Sequence, residues 1–264
     1  MSILLTNRLT RRFGKFTAVD NFNIAVDRGE IFGLLGRNGA GKTTVMKMLT
    51  TLLPPTSGSA VVAGFDIVSA SVNVRRSMGY VPQLLSADGD LTGFENLLLF
   101  ARLFDLPRSE QRPRVLEALR FMGLTNVAHQ QAKTYSGGMI RRLEIAQSTL
   151  HRPQVLFLDE PTVGLDPLAR ATVWDYLLRL NREHHTTILL TTHYMEEADR
   201  LCHRVALMDQ GRIVTIGEPD QLKLALGAEA TMEDVFVQHA GDGPESTLSY
   251  REIHRTRETA KRLG

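Results

Sequence analysis

The sequence predicts an α/β fold with a mostly parallel sheet, an antiparallel β subdomain at the N-terminus and an inserted α-helical subdomain. Three observations lead there. The apolar runs "EIFGLL", "QVLFLDE" and "TTILLTTH" alternate with helical patterns, which is how a parallel sheet covered on both faces reads. Residues 1 to about 30 instead hold short apolar runs, "SILLTNRL" and "FNIAV", broken by "RRFGKF" and "DRGE", as a small antiparallel sheet requires. From about 88 to 135, "FENLLLFARLFDL" and "RPRVLEALRFMGL" are apolar at helical spacing with no strand between them.

Each element follows in order. "EIFGLL" is a buried strand, and the glycine-rich loop after it opens a helix carrying Val45, Met46, Leu49 and Leu52, stopped by Pro54 and Pro55. "SGSAVVAGFDI" reads as a hairpin and "SMGYVPQ" as a strand ending at Gln83. The helical insertion, about 88–150, closes with "SGGMIRRLEIAQSTL". Strand "QVLFLDE", a helix over roughly 167–183, strand "TTILLTTH", a helix over 194–202 and the hairpin "RVALMDQGRIVTIG" complete the core. "TMEDVFVQH" is a short helix with Thr231 as N-cap and Asp234 three places on. One domain over 1–239 and a weakly structured tail over 240–264 are expected.

Composition narrows the class of protein. Of 264 residues 43% are apolar, enough for a well-filled core. With 31 basic against 29 acidic residues the charge is too even to suggest a nucleic-acid footprint, and no nucleic-acid partner is expected. The single cysteine, Cys202, excludes an intrachain disulfide, fits a reducing compartment and reads as a small buried apolar side chain. No run approaches the ~20 apolar residues that cross a bilayer, and the start is too short in apolar character for a secretory signal. The expectation is a cytoplasmic protein whose membrane role, if any, comes through other subunits.

"GLLGRNGAGKTT" contains Gly36, four residues, Gly41, Lys42 and Thr43, set after a buried strand and before a helix, the context of a phosphate-binding loop. Glycines let successive N–H groups of Gly36, Arg37, Asn38, Gly39, Ala40, Gly41, Lys42, Thr43 and Thr44 converge on phosphates, and the helix N-terminus adds partial positive charge. Lys42 would reach the terminal phosphates and the Thr43 hydroxyl would bind magnesium. Asp159 and Glu160 end an apolar strand where open α/β sheets bind ligands. Asp159 reads as a magnesium partner through water, and Glu160 as the group that orients and polarises attacking water. Gln83 and His193 also end strands and can hydrogen-bond near a γ-phosphate or its water, with Gln83 a further candidate at the metal.

Together, Gly36–Thr43, Gln83, "YSGGM", "VLFLDE", "VGLD" at 163–166 and His193 resemble the ordered motif set of an ATP-binding-cassette (ABC) nucleotide-binding domain with a P-loop NTPase core. "YSGGM" followed by "RRLEIA", and the terminal "TMEDVF", are most similar to the exporter ATPases of the daunorubicin-resistance group. The resemblance implies that Ser136, Gly137 and Gly138 contact the γ-phosphate held by a second cassette, a homodimer with two shared sites. It places Phe13 where an aromatic stacks on adenine, and Asp166 in a loop touching the partner's phosphate loop. It implies integral-membrane permease subunits that hold the protein on the inner face of the cell membrane, with Leu84, Leu85 and Phe94 nearest that contact. Phe100 and Phe104 read as helical-subdomain core. Met139 and Tyr135 depart from the glutamine and leucine commoner in the signature, and both departures occur in the exporter-like group. A soluble cassette acting on DNA or ribosomes is the rival reading, disfavoured because the chain carries neither a long coiled-coil insertion nor a second cassette; a small-molecule kinase would leave "YSGGM" and Glu160 without a role.

Overall fold

Strand pairing divides the protein into two sheets. The computed structural model describes residues 1–84 and 86–239; the tail expected over 240–264, and Leu85, lie outside the described residues. In chain order the elements are β1 (Ser2–Phe13), β2 (Phe16–Phe22), β3 (Ala25–Asp27), β4 (Ile31–Gly36), α1 (Lys42–Leu49), β5 (Ser57–Val62), β6 (Phe65–Asp66), α2 (Ser71–Ser77), β7 (Met78–Val81), α3 (Gly93–Leu103), α4 (Arg108–Phe121), α5 (Gly137–Thr149), β8 (Val155–Asp159), α6 (Pro167–His184), β9 (Thr187–Thr192), α7 (Met195–Leu201), β10 (Arg204–Asp209), β11 (Arg212–Gly217), α8 (Pro219–Leu224) and α9 (Met232–His239). The first sheet is antiparallel, in the order β2-β1-β5-β6 with β3 also on β1. The second runs β11-β10-β4-β9-β8-β7, parallel except for β11.

The parallel strands alternate their side chains between two cores. Phe32, Leu34, Val155, Phe157 and Leu189 join α1 and the antiparallel sheet, whereas Ile31, Leu35, Leu156, Leu158, Ile188 and Leu190 join the helices of the insertion and of the C-terminal half. Period-two alternation over a sheet buried on both faces explains why these strands read as unbroken apolar runs.

The register positions the site. Leu35 lies beside Thr192, Asp159 beside Thr191 and Val81 beside Leu158, so β4, β7, β8 and β9 end at one level. Whatever follows each strand therefore meets at one edge: Gly36–Thr43, Gln83, Glu160 and His193.

Several boundaries differ from the sequence-based expectation. Helix α1 ends at Leu49, with Thr50 as cap and Thr51 at φ 63°, before Pro54 is reached; Leu52 is exposed. The buried positions Val45, Met46, Met48 and Leu49 lie in two turns, after which no apolar stripe holds the helix down. Strand β7 stops at Val81, because pairing with β8 ends there, and leaves Gln83 on the loop beyond it. Helices α2 and α8 were not foreseen; they bury little beyond Val74 and Pro219 and give weak periodic signals. The Thr231–Asp234 capping box is present at α9, with reciprocal bonds of 2.8 and 3.3 Å. Cys202 is buried and unpaired.

Candidate functional site

The loop Gly36–Thr43 bends into α1 on a backbone that only glycine tolerates at Gly41, with φ 102°; a Cβ there would stand 2.5 Å from the carbonyl oxygen of Ala18. Lys42 begins α1 and turns its chain back over the loop, its Nζ donating to the carbonyls of Gly36 at 2.7 Å and Arg37 at 3.1 Å. Burial pushes its ammonium below the ordinary lysine value, against the opposing pull of the Glu160 and Asp159 carboxylates. A desolvated cation beside exposed Asn38 and Gly39 is suited to meeting a polyanion.

At the end of β8, Asp159 is 1% exposed. Its Oδ1 accepts from the Thr191 hydroxyl at 2.6 Å and from Thr43 Oγ1 at 3.4 Å. Its Oδ2 is buried with no hydrogen-bond partner among the described residues. An orphaned carboxylate oxygen next to a threonine hydroxyl is a hard-oxygen donor set that fits magnesium, which takes one or two protein carboxylates and completes its shell with water and phosphate. Gln83 does not join this pair: its Nε2 donates to Glu160 Oε2 at 3.3 Å.

Glu160 is the meeting point. Besides Gln83, His193 Nδ1 lies 3.4 Å from its Oε1. Its backbone sits at φ 52°, a left-handed conformation costly for a non-glycine residue by ~1–3 kcal/mol, which persists only when its surroundings over-determine it. They do. The Glu160 N–H donates to both the carbonyl (3.1 Å) and the hydroxyl (3.0 Å) of Thr191. Thr191 thus fixes Asp159 and Glu160 together and was missed by sequence reasoning, although a threonine paired in register with Asp159 is visible once the strands are aligned.

Ser136, Gly137 and Gly138 open α5 on the exposed tip of the helical insertion. Ser136 Oγ caps the helix by accepting from Met139 N at 3.3 Å. A Cβ on Gly137 would meet nothing within 4 Å, whereas one on Gly138 would come within 3.3 Å of Leu165. Asp166 is exposed and its carboxylate caps α6 through Ala169 N at 2.9 Å. Phe13 ends β1 at the tip of the β1–β2 hairpin, 46% exposed, with the Arg11 guanidinium 4.7 Å from its ring; it is no core side chain. Leu84 is 81% exposed, Phe94 is half-buried against His129, and Phe100 and Phe104 pack on the helical core.

A buried carboxylate ties the segment after Glu160 to the helix after His193. Glu197 Oε1 accepts from Thr162 Oγ1 at 2.8 Å and from Trp174 Nε1 at 3.0 Å. Burial raises its carboxyl above the ordinary value of 4.5, outweighing the hydrogen bonds from Thr192, Trp174 and Thr162 and the charge of Arg170. The folded protein therefore holds this proton more tightly than the unfolded chain, and the stability it contributes is full below pH 4.5 and is lost as pH rises through the folded value. Glu197→Gln keeps an oxygen for both donors and removes the charge. Its melting temperature should fall less than that of the parent from pH 4.5 to neutrality, and parallel pH profiles would reject the assignment.

Comparison with known proteins agrees with this geometry. The family model described as ABC transporter matches residues 19–163. The doxorubicin resistance ATP-binding protein DrrA of Mycobacterium tuberculosis is 46% identical over 83% of this chain and 66% of that protein. The daunorubicin/doxorubicin resistance ATP-binding protein DrrA of Streptomyces peucetius is 44% identical over 84% and 67% respectively. The chain thus spans about two thirds of the length of these relatives. A dimeric, post-hydrolysis ATP-binding cassette bound to ADP and Pi matches with a TM-score of 0.74 and 25% identity, covering 81% of this chain and 98% of that one.

Proposed function

Since the chain belongs to the ABC transporter family of ATP-binding proteins, we propose that it is the ATP-binding and ATP-hydrolysing subunit of a drug- or antibiotic-type exporter, working as a dimer of cassettes on separate membrane subunits. The observation that carries this is the convergence of Gln83 and His193 on the two oxygens of Glu160, beside the Lys42 loop and the Thr43–Asp159 pair. Among the described residues no helix is long and apolar enough to cross a membrane.

Adenine stacks on the free face of Phe13, the face opposite Arg11. The triphosphate lies in the cradle of residues 36–44, where N–H groups, the α1 N-terminus and Lys42 neutralise it. Thr43 and Asp159 would hold magnesium, which would supply positive charge to polarise the terminal phosphates. Glu160 accepts the proton of the water that attacks the γ-phosphorus, the bond to the β–γ bridging oxygen breaks, and ADP and phosphate leave. Gln83 and His193 hold Glu160 to that line, and His193 gives a hydrogen bond to the transferred phosphoryl group. Ser136, Gly137 and Gly138 of the second cassette close the site with helix-tip N–H groups, and Asp166 lies along the same seam. Closing and opening the dimer then drives the membrane subunits through the exposed loop bearing Leu84.

Gly137 supplies the test, since a Cβ added there meets nothing within 4 Å among the described residues. Gly137→Asp puts an acid in a first turn that has none, which favours the helix of the free chain by ~0.3–1 kcal/mol. On a partner's triphosphate the same carboxylate repels. In a Glu160→Gln background, ATP-dependent dimerisation, read by light scattering or sedimentation, should disappear while melting temperature and monomer ATP affinity hold. Undiminished dimerisation would exclude the shared site.

A further inference from the structure

Arg141 lies inside the protein, 3% exposed, one and a half turns into α5 from Ser136. Its Nη1 donates to the Pro82 carbonyl at 2.5 Å and its Nη2 to the Gln83 carbonyl at 3.0 Å. Nη2 also reaches the carbonyl of Glu160 at 3.3 Å. Glu144, one turn on and equally buried, pairs with Arg141 at 3.4 Å and accepts from the backbone N–H of Ser86 and, at 3.2 Å, from its hydroxyl. Pro82, Gln83 and Ser86, the left-handed residue Glu160 and the helix that begins at Ser136 are therefore joined through one ion pair.

We propose that Arg141 is a positioning residue, paired with Glu144, that locks Gln83 and Glu160 in their hydrolytic geometry and ties that geometry to the position of the Ser136–Gly138 helix tip. The inference rests on the hydrolytic reading of Glu160 given above. Its physical basis is the strained Glu160 backbone. Thr191 holds the N–H of that residue and Arg141 holds its carbonyl, so φ 52° is fixed from both sides. Because the same guanidinium grips Pro82 and Gln83, a shift of α5 toward or away from a neighbouring cassette moves Gln83 and Glu160 with it. The planar fork of arginine reaches separated acceptors from different nitrogens in a fixed geometry, whereas lysine presents its donors from a single nitrogen.

The test is Arg141→Lys in the full chain, which keeps the charge facing Glu144 while removing the fork. ATP affinity should stay within about threefold of the parent, the melting temperature should fall because buried carbonyls lose their donor while a single cooperative transition is kept, and kcat should fall about tenfold or more. Gln83→Ala should then cost much less in the Arg141→Lys background than in the parent. A kcat equal to that of the parent, or additive losses for the two substitutions, overturns the proposal. If the lysine variant is unstable, the paired substitution Arg141→Met with Glu144→Met replaces it with the same expectations. A parent chain that binds ATP without hydrolysing it would count against the function instead. Hydrogen exchange at the amides of 83–86 would then decide the strut separately: exchange about tenfold faster in Arg141→Lys supports it, and unchanged exchange refutes it.

Discussion

Glu160→Gln is expected to keep ATP bound while turnover falls about a thousandfold, within the ~10²–10⁴ range associated with a positioned general base. The substitution is close to isosteric, and the amide oxygen can still accept from either Gln83 Nε2 or His193, which stand 3.3 and 3.4 Å from the carboxylate. What it removes is the negative charge that, on the proposed reading, takes a proton from water. On the proposed reading nucleotide binding depends on Lys42 and the loop amides, none of which is hydrogen-bonded to the Glu160 side chain, so affinity should remain within about threefold of the parent. The measurement is phosphate release set against equilibrium binding of ATP. Parent-like turnover would assign the base to another group.

Lys42→Ala is expected to lower ATP affinity at least a hundredfold, as follows from losing charge-assisted hydrogen bonds of ~1.5–3 kcal/mol each to two phosphates. The effect has a second part that the structure brings out. Lys42 is a cation of the loop whose field reaches the buried Asp159 and Glu160. Without it a triphosphate would approach two carboxylates with no nearby ammonium to offset them, and the carbonyls of Gly36 and Arg37 would lose their donor. A titration of nucleotide binding checks this, and affinity equal to the parent would remove residues 36–44 from the triphosphate site. Fold loss is checked in the same sample by melting, where α1 should survive because alanine is the best helix former.

Much of the architecture was legible because its signals are local. A strand buried on both faces must be apolar throughout, as "VLFLD" and "TILLTT" are, and a glycine-rich turn between strand and helix has few other uses. Helix ends were harder. Pro54 and Pro55 looked like the stop of α1, yet the helix ends at Leu49 because burial, not proline, sets where it stops being held. Gln83 was placed at the end of a strand and lies two residues past one, and its partner is Glu160, not the Thr43–Asp159 pair.

By itself the sequence determined the chemical inventory: a phosphate cradle with its lysine, two acids at a strand end, a glutamine and a histidine, and a serine-glycine helix tip. These are carried by residue type and short spacing, and short spacing fixes local backbone. The tertiary structure alone decided which of them meet. Thr191 beneath Asp159 and Glu160, Glu197 beneath Thr162, and Arg141 gripping Pro82, Gln83 and Glu160 span from 19 to 59 positions along the chain. Such contacts arise from parallel register and from the packing of α5 against the sheet, and neither leaves a periodic trace in the residues that make them.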